Sequence, residues 1–160
     1  MNNGWKILLI VMIAVVVLLG GWTLWTRVTQ TESILLVVEA SLSTNSHYQS
    51  SVAQNGSIYF EMPPNSTRTL RISTINNGTK TSDFITLHIE QISPNLNLHR
   101  EDNTTITPPY TTTIGVLDPK DGMTLGWTLT SSDQLGNHTI VMNITSQSTQ
   151  LHIDVIVSVA

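Results

Sequence analysis

The sequence predicts an all-β fold: an Ig-like antiparallel β-sandwich of seven to eight strands, preceded by one N-terminal transmembrane α-helix. Three observations lead to this prediction. An uncharged apolar stretch lies near the N-terminus, short segments of alternating apolar and polar residues follow it, and turn signals rich in Asn, Gly and Pro separate these segments. We therefore expect a cytoplasmic tip and transmembrane helix over residues 1–25, a short neck over 26–33 and an extracytoplasmic sandwich over 34–160.

The apolar stretch has the length and the flanking residues of a membrane span. The segment from Ile7 to Trp25 carries no charge, and as a helix it would extend about 28 Å, close to the ~30 Å of a bilayer's hydrocarbon core. Trp5 and Lys6 stand at one end of it, and Trp22 and Trp25 at the other. Indole rings favour the headgroup layer, so we expect these residues to anchor the helix in membrane lipid.

Two interpretations compete with a permanent anchor. A cleaved signal peptide has a shorter apolar core and a small-x-small cleavage site, whereas bulky leucines precede Gly20 and Gly21 here. A pilin-type leader is cut after a glycine that precedes the apolar run. Gly4 is in place, but Asn3 stands before it and Lys6 follows the would-be cut. These departures favour an anchor that is retained.

Composition favours an extracellular location for the C-terminal part. Residues 32–160 hold all eleven acids and five of the seven bases, a net charge of −6, and the chain has no Cys. Because no basic patch exists, nucleic acid is not expected as a partner. The lack of Cys excludes disulfides, thiolate metal sites and thiol nucleophiles. We expect a single-pass cell-membrane protein with a cytoplasmic N-terminus and an extracellular C-terminal domain.

The strands follow from apolar alternation along the chain. The first covers residues 34–42 and is apolar on both faces, because Leu35 and Val37 fall opposite its main apolar row. A polar loop is expected over 45–54. Further strands are predicted over 57–62, 69–75, 84–92, 111–117, 123–130, 138–145 and 150–159, with 93–109 as a loop.

Turn signals separate these strands. They are Asn55-Gly56, Pro63-Pro64-Asn65, Asn76-Asn77-Gly78, the run from Asp118 to Gly122, and the run from Asp133 to Asn137. The clearest alternation puts Leu125, Trp127 and Leu129 on one face of a strand. Trp127 is therefore the expected central aromatic residue of the core.

The order of turns and strands resembles that of a known family. Four segments of the sequence together resemble Ig-like repeats of the CARDB and NEW3 type. In order, they are the run from Pro64 to Ile72 with Asn76-Asn77-Gly78, the run Leu117-Asp118-Pro119, Gly122 before the run from Thr124 to Thr128, and the run from Gly136 to Ile140. The resemblance covers residues 34–159 and rests on turn and core residues, with Asn65 where the repeat has glycine. It implies an Ig-like sandwich of the kind used as adhesion, spacer and docking modules on bacterial and archaeal surfaces.

Six Asn-x-Ser/Thr triplets lie in the C-terminal part. They begin at Asn55, Asn65, Asn77, Asn103, Asn137 and Asn143. Ten Asn and 36 Ser/Thr among residues 31–160 would give about three such triplets by chance. Strand alternation also puts Asn137 and Asn143 on an outward face. We predict that several of these triplets carry N-glycans; a Thr-rich strand surface is the alternative origin of the motif.

The residues with catalytic or metal-binding chemistry do not form a recognisable site in the sequence. The five His are not paired at i+2 or i+4, and no Cys can join them. His152, Asp154 and Ser158 lie on one strand, but a flat strand face does not give the geometry of a hydrolase triad. For Glu101-Asp102 a solvated loop is favoured over a weak calcium site. No cofactor, metal or catalytic residue is predicted.

The expected role is non-enzymatic. We predict an accessory or structural subunit of a membrane or cell-envelope complex, with other membrane or envelope subunits as partners and the sandwich as the docking module. Leu35, Val37 and Ile156 are apolar residues on outward faces and are the predicted partner contacts. A surface filament or adhesion subunit, pilin-like or archaellum-stator-like, is the second function class. A small subunit of a quinone-linked membrane oxidoreductase is the third.

Overall fold

The C-terminal part of the chain folds as a β-sandwich. The computed structural model describes residues 33–44, 47–53 and 56–160, and Ser33–Ala160 form one compact unit. Within these residues, ten strands make two five-stranded sheets. The all-β fold with two sheets is therefore confirmed. The predicted transmembrane helix, with Trp5, Lys6, Trp22 and Trp25, lies outside the described residues, and within the described ones no helix has the length and apolarity to cross a membrane.

The two sheets combine strands that are distant in sequence. The first sheet contains, in spatial order, β2 (His47–Ala53), β1 (Leu36–Thr44), β4 (Thr67–Asn76), β8 (Gly122–Ser131) and β6 (Leu96–His99). The second contains β3 (Gly56–Met62), β10 (Gln150–Val159), β9 (Gly136–Thr145), β5 (Ile85–Ile92) and β7 (Tyr110–Gly115). The edge strands β2 and β3 contact each other on one side, which leaves β6 and β7 as the edges on the other side.

Alternating residues of both sheets fill the core between them. In β4 the side chains of Leu70 and Ile72 are buried, while Arg71 between them is exposed. The same alternation runs along β10, where every second residue from Leu151 to Val159 is buried. Trp127 in β8 is 5% exposed, as predicted for the central aromatic residue. The alternation in the sequence therefore predicted the core residues, because one face of each strand is covered by the other sheet and the opposite face is not.

Residues 47–53, which the sequence predicts to be part of a polar loop, instead form β2. This strand pairs antiparallel with β1 from Val38↔Ala53 to Thr44↔His47. Because backbone hydrogen bonds need no apolar side chains, an edge strand can form without apolar alternation. Residues 96–99, inside the second predicted loop, form β6 in the same way against β8. The part of the chain that the structure describes therefore has ten strands and not the predicted seven to eight.

One strand pair departs from the predicted antiparallel arrangement. β3 pairs with β10 in parallel, with Ile58 opposite Val155, whereas every other pair among the named strands is antiparallel. β2 ends at Ala53 in the first sheet, and β3 begins at Gly56 in the second sheet. β3 and β10 lie far apart in the sequence, so no hairpin joins them and an antiparallel direction is not imposed on the pair.

Candidate functional site

One side of the sandwich is open along half of a strand. β6 pairs only with the last part of β8, from Leu96↔Ser131 to His99↔Thr128. Among the described residues, the first half of β8 (residues 122–127) therefore has a strand neighbour, β4, on one side only. β7 is the edge of the other sheet on this side, and among the described strands it pairs with β5 alone. Within the described part of the chain, two strands thus present unpaired backbone groups on the same side of the sandwich.

A cleft of about 390 Å³ lies between these two strand edges. Its buried wall includes Trp127 on β8, and Tyr110 on β7 is half-buried opposite. Aromatic and Arg side chains are enriched at protein interfaces, where they fill pockets and exclude water. The described residues that line it are Arg100, Glu101, Asp102, Tyr110, Thr112, Thr124, Leu125, Gly126 and Trp127. We call this cleft with its two strand edges the open side.

The edge strand β7 has little of the usual protection against pairing with another chain. Its sequence, from Tyr110 to Gly115, contains no charged residue and no Pro. Natural edge strands are commonly blunted by a charge, a Pro or a bulge, and the register of β7 with β5 shifts only once, at Ile85. The opposite edge of the same sheet, β3, carries the exposed Glu61. β7 is thus the less protected of the two edges of the second sheet.

The loop after β6 forms the charged rim of the cleft. The backbone N–H of Thr104 donates to Oδ1 of Asp102 at 3.0 Å. This hydrogen bond stabilises the carboxylate and lowers the pKa of Asp102 below its usual value, and the charge of Arg100 adds to the effect. Among the residues that the structure describes, no group of three His, Cys, Asp or Glu is placed to hold a metal ion. The loop is a hydrogen-bonded polar turn.

The outward face of the second sheet carries a row of hydrogen-bonded side chains. Strand register places His88, Asn143 and His152 side by side on β5, β9 and β10. Since an amide oxygen only accepts, Nδ1 of His152 donates to Oδ1 of Asn143 at 2.8 Å. Nδ2 of Asn143 donates to Oε1 of Glu90, and Asp154 Oδ1 lies 3.3 Å from His152 Nε2. The row therefore links three strands through side chains.

This row does not form a hydrolase triad. His152 contacts Asn143 and Asp154, whereas Ser158 lies six residues further along the same strand, on the order of 20 Å away. Ser158 stands opposite Asn137 in the neighbouring strand. Its hydroxyl is therefore too far from His152 for a hydrogen bond, in agreement with the argument from the flat strand face.

The sequon asparagines differ in their accessibility. The side chains of Asn65, Asn77, Asn103 and Asn137 are exposed. Asn143 points away from the core, as the alternation predicts, but it is only 7% exposed and both polar atoms of its side chain are hydrogen-bonded. A glycan on Asn143 would require these bonds to break. Asn55 lies outside the described residues, and glycosylation of the exposed sites stays a prediction.

The three predicted apolar contacts also differ in their accessibility. Leu35 is 45% exposed, but Val37 is 7% exposed and offers little surface to a partner. Ile156 is half-buried on β10 beside the exposed Tyr59 of β3. In the structure these residues do not line the cleft of the open side. The sequence could not show this, because alternation within a single strand does not reveal which strands lie side by side. Their role as contacts stays a prediction.

Asn76 has a structural role that its sequence context does not reveal. The sequence predicts a turn residue, but Asn76 is fully buried at the end of β4. Its Nδ2 donates to the carbonyls of Lys80 at 2.8 Å and Leu117 at 3.0 Å, and its Oδ1 accepts from the N–H of Gly78. It joins two loops at one end of the sandwich.

Comparison with known proteins concerns the fold. No protein-family model and no curated protein matches this chain. Among similar solved structures is the CARDB domain of a Pyrococcus furiosus protein in complex with di-metal ions, at 16% identity and a TM-score of 0.42, covering 82% of this chain and all of that one. A CARDB domain is thus among the solved structures to which this chain is similar.

Two other similar structures come from different kinds of protein. A conjugative transposon lipoprotein from Bacteroides eggerthii has 13% identity and a TM-score of 0.44, covering 61% of this chain and 86% of that one. A family 123 glycoside hydrolase from Clostridium perfringens has 9% identity and a TM-score of 0.40, and the match spans only 23% of the hydrolase. At such identities the likeness describes the sandwich and not an activity.

Proposed function

We propose that this chain is a non-enzymatic, membrane-anchored accessory or structural subunit of a membrane or cell-envelope complex, and that it docks on its partner through the open side. One observation carries the proposal: β7, an edge strand with no charge and no Pro, and the half of β8 that has no second strand neighbour among the described residues border the same cleft. An extended partner segment can add to such an edge by backbone hydrogen bonds.

The cleft supplies side-chain contacts for such a segment. In an added strand every second side chain would face the cleft, where the half-buried Tyr110 provides aromatic surface above the buried Trp127. The rim formed by Arg100, Glu101 and Asp102 provides charged groups of both signs. These features fit a partner segment with one apolar anchor flanked by polar residues.

The membrane anchor in this proposal is the apolar segment between Ile7 and Trp25. Its length, its lack of charge and the Trp residues at both ends support a span. The extracellular location is supported by the six sequons and the absence of Cys.

The test is a purification of the tagged, full-length chain from its native membrane in mild detergent, followed by mass spectrometry of the bound proteins. Stoichiometric recovery of integral-membrane subunits is expected for the unmodified chain. Thr113→Lys places a charge on the exposed face of β7 and should remove those subunits. Ser57→Lys places the same charge on β3, the opposite edge of the sheet, and should retain them.

Two outcomes would contradict the proposal. Equal recovery of partners by both Lys variants would show that β7 is not the docking edge. Recovery of the chain alone, as polymers or with an envelope-lattice protein, would favour a filament or adhesion subunit in place of an accessory subunit.

A further inference from the structure

We infer that one end of the sandwich rests on the lipid surface and inserts apolar side chains into it. We call this the proximal end; it comprises residues 33–35 and the loops 77–84, 116–121 and 146–149. The inference rests on the proposed anchor and adds a second contact surface, distinct from the open side. Its occupant is lipid, since the apolar segment of the chain is joined to the domain at this end.

Hydrogen bonds fix the start of the domain at the proximal end. The carbonyl of Ser33 accepts from the N–H groups of Thr79 at 2.9 Å and Lys80 at 3.3 Å. The N–H of Ser33 donates to Oγ1 of Thr79, and the N–H of Asn77 donates to the carbonyl of Leu35 at 2.7 Å. The first residues of the domain are therefore hydrogen-bonded to the loop after β4. These bonds fix the point at which the chain enters the proximal end.

Strand directions bring the three loops to this same end. β1 begins where β4 ends, with Leu36 opposite Asn76, and β8 begins beside the end of β4, with Gly122 opposite Ile75. In the other sheet, β5 begins where β7 ends, with Ile85 opposite Gly115. The loop from β9 to β10 also lies here, since Ser148 Oγ donates to Oδ2 of Asp83.

Exposed apolar side chains concentrate at the proximal end. The described residues include six large apolar side chains that are exposed, and four of them lie within this end or next to it: Leu35, Phe84, Val116 and Met123. Of the other two, Tyr59 lies within β3 and Leu135 lies in the turn between β8 and β9, at the opposite end. The exposed apolar side chains are thus unevenly distributed over the described surface, and this end is where a contact with an apolar environment would cover most of them.

The length of the neck keeps this end near the bilayer. Ser33 lies eight positions after Trp25, a distance of about 28 Å if the chain is fully extended and about 12 Å if it is a helix. The proximal end is therefore the part of the domain that the lipid surface reaches first. The transfer of apolar side chains such as Phe84 and Val116 from water into the interfacial layer of the bilayer is favourable in free energy.

The charges of the proximal end are nearly balanced. Lys80 and Lys120 lie in its loops together with Asp83, Asp118 and Asp121. Nζ of Lys120 donates to the carbonyl of Asn77, and Asp118 accepts from Thr81 Oγ1. Two bases against three acids give no net attraction to anionic headgroups. The contact therefore depends on apolar insertion and should be the same on neutral and on anionic lipid.

The test uses the full-length chain in lipid nanodiscs with a single fluorescent label. The natural sequence has no Cys, so Val116→Cys and Leu135→Cys each give one labelling site, at opposite ends of the sandwich. Lipids that carry a quencher on the acyl chain should quench the label at residue 116 and leave the label at residue 135 unchanged. Phe84→Asp in the Val116→Cys background should reduce that quenching, with no change in the thermal unfolding midpoint.

The outcomes separate this inference from the proposed anchor. If the anchor is wrong, the chain will not be retained in the nanodiscs. If the chain is retained but neither label is quenched, or both are quenched equally, the proximal end does not rest on lipid. Quenching that appears only with anionic lipid and disappears at high salt would overturn insertion in favour of electrostatic binding.

Discussion

The side-chain amide of Asn76 donates a hydrogen bond to the backbone carbonyl of Leu117 at 3.0 Å, across 41 positions of sequence. The same nitrogen donates to the carbonyl of Lys80, and the amide oxygen accepts from Gly78. Leu117 is also joined to Ser82 by two hydrogen bonds, one in each direction. One buried amide thus organises the loop after β4 and the loop before β8 at the proximal end.

Replacing Asn76 by Ala should destabilise the sandwich strongly. The substitution leaves the carbonyls of Lys80 and Leu117 without this donor and the N–H of Gly78 without this acceptor, in a fully buried position. The loss of three hydrogen bonds, with the N–H of Gly78 left buried without this acceptor, is expected to lower the free energy of unfolding by about 3 kcal/mol. Urea denaturation of the detergent-solubilised chain, followed by circular dichroism, measures the change.

The neighbouring Asn77 offers the matched control for this prediction. Its side chain is exposed, and Asn77→Ala keeps the backbone N–H that donates to Leu35. This variant should change the free energy of unfolding by less than about 0.5 kcal/mol. Similar losses for the two variants would show that the buried amide is not what joins the loops.

Gly78→Ala should separate the start of the domain from the loop after β4. An added Cβ would lie 2.1 Å from the carbonyl oxygen of Ser33 and 2.8 Å from the backbone N of Leu35. Because both neighbours are backbone atoms, the segments must move apart, at a cost of about 1–3 kcal/mol. Hydrogen exchange should accelerate at the amides of Thr79 and Lys80, which donate to Ser33.

Gly126→Ala is the control for steric crowding. At this position a Cβ would meet only the side chain of Arg71, at 4.0 Å. Exchange at Thr79 and Lys80 should be unaffected by this variant. Unchanged exchange in Gly78→Ala as well would contradict the close approach of the two segments.

Strand alternation explains why much of the fold could be predicted from the sequence. In β4 and β10 each core residue alternates with an exposed or half-buried one, so the period of two is visible locally. β2 could not be found in this way, because its pairing with β1 depends on backbone bonds and its side chains carry no apolar period. The parallel pairing of β3 with β10 could not be predicted from local patterns either, because it joins residues about a hundred positions apart in the sequence.

The candidate sites could be predicted less well than the strands. The open side exists because β6 is shorter than β8, and strand length within a predicted loop is not visible in the sequence. The bonds of Asn143 to Glu90 and His152 depend on the register of three strands. Local turn signals therefore predicted where the chain reverses, while the side-chain contacts between distant segments could not be deduced from them.

Thr74→Val should stabilise the sandwich. Thr74 is 1% exposed, and among the described residues its hydroxyl has no hydrogen-bond partner. Valine has nearly the same shape without the buried hydroxyl, so we expect a gain of about 1 kcal/mol in the free energy of unfolding. Thr74→Ser keeps the hydroxyl and loses a methyl group, and it should be destabilising. A valine variant that is less stable than the unmodified chain would show that the hydroxyl is paired.

Glycans should be found on exposed sequons and not on Asn143. The side chains of Asn65, Asn77, Asn103 and Asn137 are exposed, whereas the amide nitrogen of Asn143, which would carry the sugar, donates to Glu90. In the folded domain that nitrogen is neither accessible nor free to react. Glycopeptide mass spectrometry of the chain from its native membrane measures the occupancy of each site.

The sequon at Asn143 can be removed without changing the asparagine itself. Thr145→Ala destroys the triplet and leaves the bonds of Asn143 to Glu90 and His152 in place. If Asn143 is unmodified, the mass of its peptide should change in this variant only by the substitution. A sugar mass that is present in the unmodified chain and lost in Thr145→Ala would mean that the glycan is attached to Asn143. The row from Asp154 to Glu90 could not then form in the mature protein, because the modified nitrogen could no longer lie buried against the carboxylate.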